Sequence, residues 1–276
     1  MSTSGIVFVR THHVYDSYDV YWKLIELGGF ETCYVDEIDF ERVATYVITP
    51  INGEVSGHLV ANVRTTRRKA TLIWWCLERF DGPGMREHRP SDIVDEALGY
   101  GFDRLWTSCR EVRKLDPRLE HVVLGSDARL AEAEPRGGEL YDFTHQSYAW
   151  GRRMILYRNM ISLGLREGHS TWGKDRVSVL SNSKVLVNAH QYDMPVYAPL
   201  RFALAAAYRL PVVSEYIEDP YPLVGVIESV KYDALPGRVY DIARNAHSEV
   251  RRAMGDLVHQ KLCVEHPFAQ SVLEVV

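Results

Sequence analysis

A chain of 276 residues with 46% hydrophobic and 25% charged side chains has an ordinary globular composition, which excludes a mostly disordered protein and suits two domains of usual size. Its formal net charge of −5 excludes a protein held on nucleic acid by overall charge, and leaves room only for a local basic groove. Cys33, Cys76, Cys109 and Cys263 stand far apart without a C-x-x-C spacing, which excludes a disulfide framework or zinc site and predicts free thiols in a reducing cytoplasm.

The opening segment, MSTSGIVFVRTHH, has neither a charged n-region nor a long apolar h-region, and no window approaches the ~18 uninterrupted apolar residues of a membrane helix. The expectation is a cytoplasmic chain with no membrane span. Gly5–Arg10 predicts the first strand, and a helical pattern follows through Leu27, stopped by Gly28-Gly29. Short apolar runs then recur at Thr32–Asp36, Ala44–Thr49, Ala70–Trp75, Arg104–Ser108 and His121–Leu124, with a helical segment over Ser91–Tyr100. This βα alternation predicts a parallel sheet covered by helices. Trp74 and Trp75 read as core residues, or one of them as a flat platform for a sugar or base.

Ala131–Glu139 (AEAEPRGGE) is rich in charge, Pro and Gly and separates two βα regions. It predicts a linker between an N-terminal domain over 1–130 and a C-terminal domain over 140–276. Beyond it come the strand Leu140–Thr144, the helix Gly151–Leu163, a loop at Gly168–Asp175 and a short helix. The strand Val185–Asn188, the alanine-rich helix Ala198–Tyr208 and the strand Pro211–Ser214 follow. After Pro220–Pro222 a single amphipathic helix is expected over about Asp233–Leu262. No internal repeat or low-complexity tract is present.

The stretch Ser183–Glu215 has the most to say about function. Ligands of an open α/β sheet bind outside the carboxyl ends of its strands, and a helix starting there presents unpaired N–H groups and about half a positive charge. The edge predicts an anionic ligand, a phosphate.

The second half, YDFTHQSYAWGRRMILYRNMISLGL, then STWGKDRVSVLSNSKVLVNAH, then APLRFALAAAYRLPVVSE, resembles the nucleotide-sugar-binding domain of GT-B glycosyltransferases, notably the CgeB-like and related bacterial and phage groups. The match covers about Tyr141–Asp219, and more weakly LIWWCLERF and FDRLWTSCREVRKLDPRLEHVVLGSD in the first half. The resemblance implies an α/β fold of two Rossmann-like domains facing across a cleft, the C-terminal one holding the donor and the N-terminal one the acceptor. It implies a nucleotide-sugar co-substrate, a UDP sugar in the first instance, and no obligatory metal; no D-x-D motif is present. Many retaining members carry two glutamates eight positions apart at the donor helix. Aligned on Pro211-Val212-Val213, those positions are Val196 and Leu204, which shifts attention to Glu215 as a ligand for ribose or sugar.

Arg201, in the first turn of its helix, is unfavourable there unless an anion lies between them, so it reads as a diphosphate contact, or else as a surface arginine or a partner of Glu215. His190, just past a strand, is placed to donate to phosphate or sugar as a catalytic group, or to be structural. Gly151 allows a close approach to backbone N–H groups, and Arg152 or Arg153 is expected as one leaving-group contact, against ordinary surface arginines. Trp172 is expected near the nucleobase, or else in the core.

On the loop after the first strand, the resemblance implies that His13 deprotonates the acceptor hydroxyl and Asp16 orients it, with His12 and Tyr15 at the acceptor. The competing reading leaves all four as polar loop residues without proton transfer. Glu78, with Arg79 and Asp81, lines the expected acceptor cleft. The basic runs Arg64–Lys69 and Arg110–Lys114 read as solvated faces, or as a groove for DNA if a hydroxylated base is the acceptor. The leading function is metal-independent sugar transfer to a hydroxyl. The competing classes are a nucleotide-sugar-binding protein without chemistry and a Rossmann oxidoreductase, the latter opposed by the absence of G-x-G-x-x-G after Gly5–Arg10.

Overall fold

The computed structural model describes residues 5–10, 18–49, 69–77, 90–131, 139–169, 174–192, 195 and 197–276. The chain divides into two compact units, Met1–Leu124 with Ala269–Val276, and Gly125–Phe268. The division thus falls before the Ala131–Glu139 segment, and the last eight residues return to the first unit. Residues 132–138 of that segment lie outside the described residues.

The first unit runs β1 (Ile6–Arg10), α1 (Asp19–Leu27), β2 (Glu31–Tyr34), β3 (Thr45–Ile48), β4 (Thr71–Cys76), α2 (Pro90–Gly99), β5 (Arg104–Thr107), α3 (Arg110–Leu115) and β6 (Leu119–His121). Its strands form one parallel sheet in the order β2-β1-β3-β4-β5-β6. Central strands such as β1 and β4 are buried nearly throughout, as apolar strands covered on both faces must be, whereas the edge strand β2 is largely exposed. Aromatic rings fill the core: Trp75 meets Tyr21 at 5.9 Å and Trp106 at 5.5 Å, both edge-on. Trp74 and Trp75 are both buried.

The strand expected at His121–Leu124 pairs earlier, at Leu119–His121, because its partner β5 ends at Thr107; Val122 makes a last N–H contact to the Thr107 carbonyl at 2.9 Å.

The second unit runs β7 (Phe143–Thr144), α4 (Arg152–Ser162), β8 (Glu167–Gly168), α5 (Lys174–Ser181), β9 (Leu186–Asn188), α6 (Pro199–Ala207), β10 (Val212–Glu215), β11 (Glu228–Val230), α7 (Leu235–Tyr240) and α8 (Ser248–His259). The chain then enters α9 (Phe268–Leu273). The sheet is parallel, in the order β11-β10-β9-β7-β8. Phe143, Val187 and Val213 from the strands pack with Leu156 and Met160 of α4 and Val239 of α7 in its core.

The long helix expected over Asp233–Leu262 is interrupted. A π-helical turn at Asp241–Asn245 ends α7, Ala246 is extended with ψ 140°, and α8 starts afresh at Ser248 before a second π-helical turn, Gln260–Glu265. The break redirects the chain, so that α7 packs on α4 while α8 packs on α6.

Candidate active site

In the second sheet β7 has β8 on one side and β9 on the other, so the connections leaving β7 and β9 diverge. Such a switch point opens a crevice at the carboxyl ends of the two strands. Buried polar residues gather there: Thr144 ends β7, Asn188 ends β9, Ser214 lies in β10, and none of the three is exposed. Arg201 of α6 spans the switch point. Its Nε donates to the Gln146 carbonyl at 3.3 Å, and its Nη1 donates to the Asn188 side-chain oxygen. Asn188 in turn donates to Ser214 Oγ at 2.8 Å.

Both helices that open at this edge lack the usual neutralising groups. The N-caps of α4 and α6 are Gly151 and Ala198; neither makes a side-chain cap, and neither first turn holds an acid. Gly151 has φ +58°, a left-handed conformation natural to glycine. Cations occupy the first turns instead. Arg153 is buried and its Nε donates to the Ala189 carbonyl at 2.8 Å. Burial, reinforced by the Arg153 charge, pushes the Arg201 guanidinium down to about 9, and burial likewise lowers Arg153. Neither guanidinium forms an ion pair among the described residues. Two mutually repelling cations at two uncapped helix starts make a strong local demand for an anion.

Arg152 behaves differently. It forms a two-pronged ion pair with Glu215, at 2.9 and 2.7 Å, while its guanidinium lies 4.0 Å from the centre of the Tyr232 ring. Glu215 also accepts the His190 backbone N–H at 2.9 Å. Glu215 is therefore the partner of Arg152, not of Arg201. His190 is buried, and its Nε2 donates to the Tyr216 carbonyl at 2.8 Å. Burial holds its imidazole below the ordinary histidine range, so at neutral pH its Nδ1 is an acceptor. Leu204, at one of the two glutamate positions, is buried in α6.

The structure brings together Gly151, Arg152, Arg153, His190, Arg201 and Glu215 at one edge. His12, His13, Tyr15, Asp16, Glu78, Arg79, Asp81, Trp172 and Val196 lie outside the described residues. So does the run 64–68; Lys69 beside it pairs with Glu41 at 3.6 Å, and the second basic run forms α3.

A histidine–glutamate pair also lies at this edge, at positions with no motif in the sequence. His145, just past β7, is buried against Tyr157 with parallel rings at 3.8 Å, and its Nε2 lies 2.7 Å from Glu167 Oε1 in β8. Burial lowers the His145 pKa, whereas the hydrogen bond with His145 lowers that of Glu167. The Glu167 carboxylate faces Nε2, while Nδ1 lies 3.1 Å from the Ser147 carbonyl oxygen and 3.4 Å from its hydroxyl, so each ring nitrogen has an acceptor within reach and the ring is held at both ends. Among the described residues, no group of three or more His, Cys, Asp or Glu is placed to hold a metal, and no helix is long and apolar enough to cross a membrane.

No family model matches the chain, and no curated protein matches it by sequence. Solved structures resemble it in fold at low identity. HepE from Anabaena, in complex with UDP and glucose, is 10% identical with a TM-score of 0.61, over 98% of this chain and 98% of its own. A trehalose-6-phosphate synthase studied for glycosyl transfer with retention is 9% identical with a TM-score of 0.62, over 99% of this chain and 98% of its own. AviGT4, a glycosyltransferase of avilamycin A biosynthesis, is 12% identical with a TM-score of 0.55, over 98% and 96%. The chain has the α/β fold of these proteins, GT-B, with two Rossmann-like units built on parallel sheets.

Proposed function

We propose that this chain is a glycosyltransferase that moves a sugar from a nucleotide diphosphate sugar, a UDP sugar, to an acceptor hydroxyl. The observation that carries the reading is the pair Arg153 and Arg201, buried or half-buried without an acid partner among the described residues, at two uncapped helix starts. A leaving diphosphate develops negative charge as the glycosidic bond breaks, and fixed cations and helix N–H groups placed beforehand stabilise it without reorganisation. Likeness in fold to HepE with UDP and glucose supports the same donor class. The motif order over Tyr141–Asp219 supports placement near the CgeB-like groups.

In this reading the second unit holds the donor. Arg201 and Arg153 take the diphosphate, and Arg152 keeps Glu215 and the His190 backbone in position; Glu215 and Trp172 face the ribose and base. The first unit holds the acceptor through His12, Tyr15 and Glu78, with His13 as base and Asp16 orienting it. The cations supply the charge that a divalent metal otherwise brings, so transfer proceeds without one. The four free cysteines suit a cytoplasmic enzyme.

Calorimetric titration with UDP, GDP, ADP and dTDP sugars in EDTA tests this. One of them, UDP-glucose or a related UDP sugar, is expected to bind, and Arg201→Ala to weaken it by roughly tenfold to a hundredfold, the weight of a hydrogen-bonded charge. Arg201→Lys keeps the charge but loses the fork to Gln146 and Asn188, and is expected to fall between the two. The reading is overturned if no nucleotide sugar binds with or without magnesium and Arg201→Ala changes nothing.

A further inference from the structure

In the polar network at the switch point of the second sheet, one buried acceptor stands without a donor among the described residues. Gln146 is about nine-tenths buried, at 6% exposure, two residues past the end of β7. Its Nε2 donates to Thr144 Oγ1 at 3.3 Å, and Thr144 Oγ1 donates to the Gly168 carbonyl at 3.1 Å. The Thr144 proton is thereby used, so its oxygen can only accept from Gln146. This fixes which end of the amide faces Thr144. The other end, Gln146 Oε1, is buried and has no hydrogen-bond partner among the described residues. The backbone oxygen of the same residue accepts from Arg201 Nε at 3.3 Å, so the unsatisfied acceptor belongs to the residue that holds the anion-seeking guanidinium. Around it, Asn188 and Ser214 are matched donor to acceptor.

A buried amide oxygen left without a donor is costly, and in a low-dielectric network the cost is felt by every member. The diphosphate of a nucleotide sugar does not relieve it, because, esterified at both ends, it carries no proton to give at neutral pH. We infer that Gln146 Oε1 is a specificity-determining group that accepts a hydrogen bond from a ligand hydroxyl lying next to the phosphate bound by Arg201. The inference rests on the nucleotide-sugar reading and deepens it: the site reads a polyol beside its anion. Ribose and the transferred sugar both present such a hydroxyl, and the ligand series separates them.

Isothermal titration of the full chain with inorganic pyrophosphate, UDP, 2′-deoxy-UDP, UDP-glucose and its 2-deoxy and 3-deoxy hexose analogues provides the test. In the wild type, one deoxy ligand is expected to bind roughly tenfold more weakly than its parent, the weight of one hydrogen bond to a buried amide. Loss with 2′-deoxy-UDP assigns the contact to ribose, and loss with a deoxyhexose assigns it to the transferred sugar. Gln146→Leu is expected to erase that difference and leave pyrophosphate binding within about twofold. Gln146→Met, unbranched and of similar length, serves if the leucine variant does not fold. The inference alone is overturned if UDP-glucose binds but no deoxy analogue is discriminated, if discrimination survives both variants, or if pyrophosphate is weakened as much as the nucleotides. A wild type that binds pyrophosphate and none of the nucleotides overturns the sugar-transfer reading and this inference together.

Discussion

Arg152 and Arg153 are adjacent in the chain and face opposite tasks. Successive residues of a helix are rotated by about 100°, so one first-turn arginine meets Glu215 and the Tyr232 ring while the next turns inward to the Ala189 carbonyl. The sequence places both at the start of a helix and cannot tell them apart, because what distinguishes them is the position of β10 and of Tyr232, far along the chain. The pairing of His145 with Glu167 is illegible in the sequence for a related reason. They are 22 residues apart, and only the adjacency of β7 and β8, strands of two residues each, brings them into contact. A segment reading Glu-Gly has no apolar signature of a strand.

At the opposite edge of that sheet, Asp142 is fully buried just before β7 and accepts from the Arg166 backbone N–H at 2.9 Å and from Lys184 at 2.9 Å, with Arg244 at 2.7 Å. Burial alone would raise its pKa; the backbone N–H, Lys184 and Arg244 outweigh burial and hold it below the ordinary aspartate range. A carboxylate with a depressed pKa in the folded state contributes stability that is present above its unfolded value, about 3.9, and lost as pH falls through the folded one. The urea midpoint is therefore expected to hold steady from pH 7 to about 5 and then fall as the pH drops below about 4. Asp142→Asn is expected to be less stable at pH 7 by about 3 kcal/mol and to show a flatter acid limb. An acid limb as steep in the variant as in the wild type would remove Asp142 from this account.

Among the helices, α6 is set by small side chains. Its alanines let neighbours reach its backbone: Ser126 Oγ donates to the Ala203 carbonyl at 2.7 Å, and His259 Nδ1 to the Ala206 carbonyl at 3.0 Å. The alanine-rich run was readable as a helix, as were the apolar strands on either side of it. The break at Ala246 was not, because apolar periodicity continues across it and the reason for the break is tertiary: α7 and α8 rest on different helices. The crossing of α8 over the end of α6 depends on Gly255, where an added Cβ would lie 1.8 Å from the Arg209 carbonyl oxygen. Arg209 cannot easily yield, since it holds a left-handed φ of +52° at the helix end and bonds to Asp256 at 2.6 Å. Gly237 in α7 has nothing within 4 Å of the same added atom. One substitution is thus expected to have two signs. Gly237→Ala should stabilise by about 1 kcal/mol through helix propensity, while Gly255→Ala should destabilise by about 1–3 kcal/mol through overpacking. Thermal melts of the two variants against wild type decide it, and equal shifts would rule out the close crossing.

At the scale of the molecule, the two units share a way of building a site. Each is a parallel sheet whose first strand lies between the second and third, β1 between β2 and β3, and β7 between β8 and β9. Each therefore opens a crevice where its first connection leaves. The two Rossmann-like halves were legible because strands buried on both faces read as short apolar runs; the division between units was less so, because Gly125–Leu130 continue from the last strand of the first unit yet pack with the second. Ser126 shows how: its N–H donates to the Leu262 carbonyl at 2.9 Å and its hydroxyl to Ala203. Every described residue proposed for the donor lies within Gly125–Phe268, so on that proposal ligand free energy should enter through that unit alone. Hydrogen exchange with saturating UDP is expected to slow amides in 144–153, 186–192 and 199–203, together with the core strands they rest on, because binding stabilises whatever must open to expose the site. Amides of β1, β3 and β4 should exchange as before, since UDP offers them no differential contact when the acceptor is missing. Adding a true acceptor should then protect the first unit as well. Protection of β1, β3 and β4 by UDP alone would mean that the nucleotide is held by the first sheet, and the division of donor and acceptor between the units would have to be reversed.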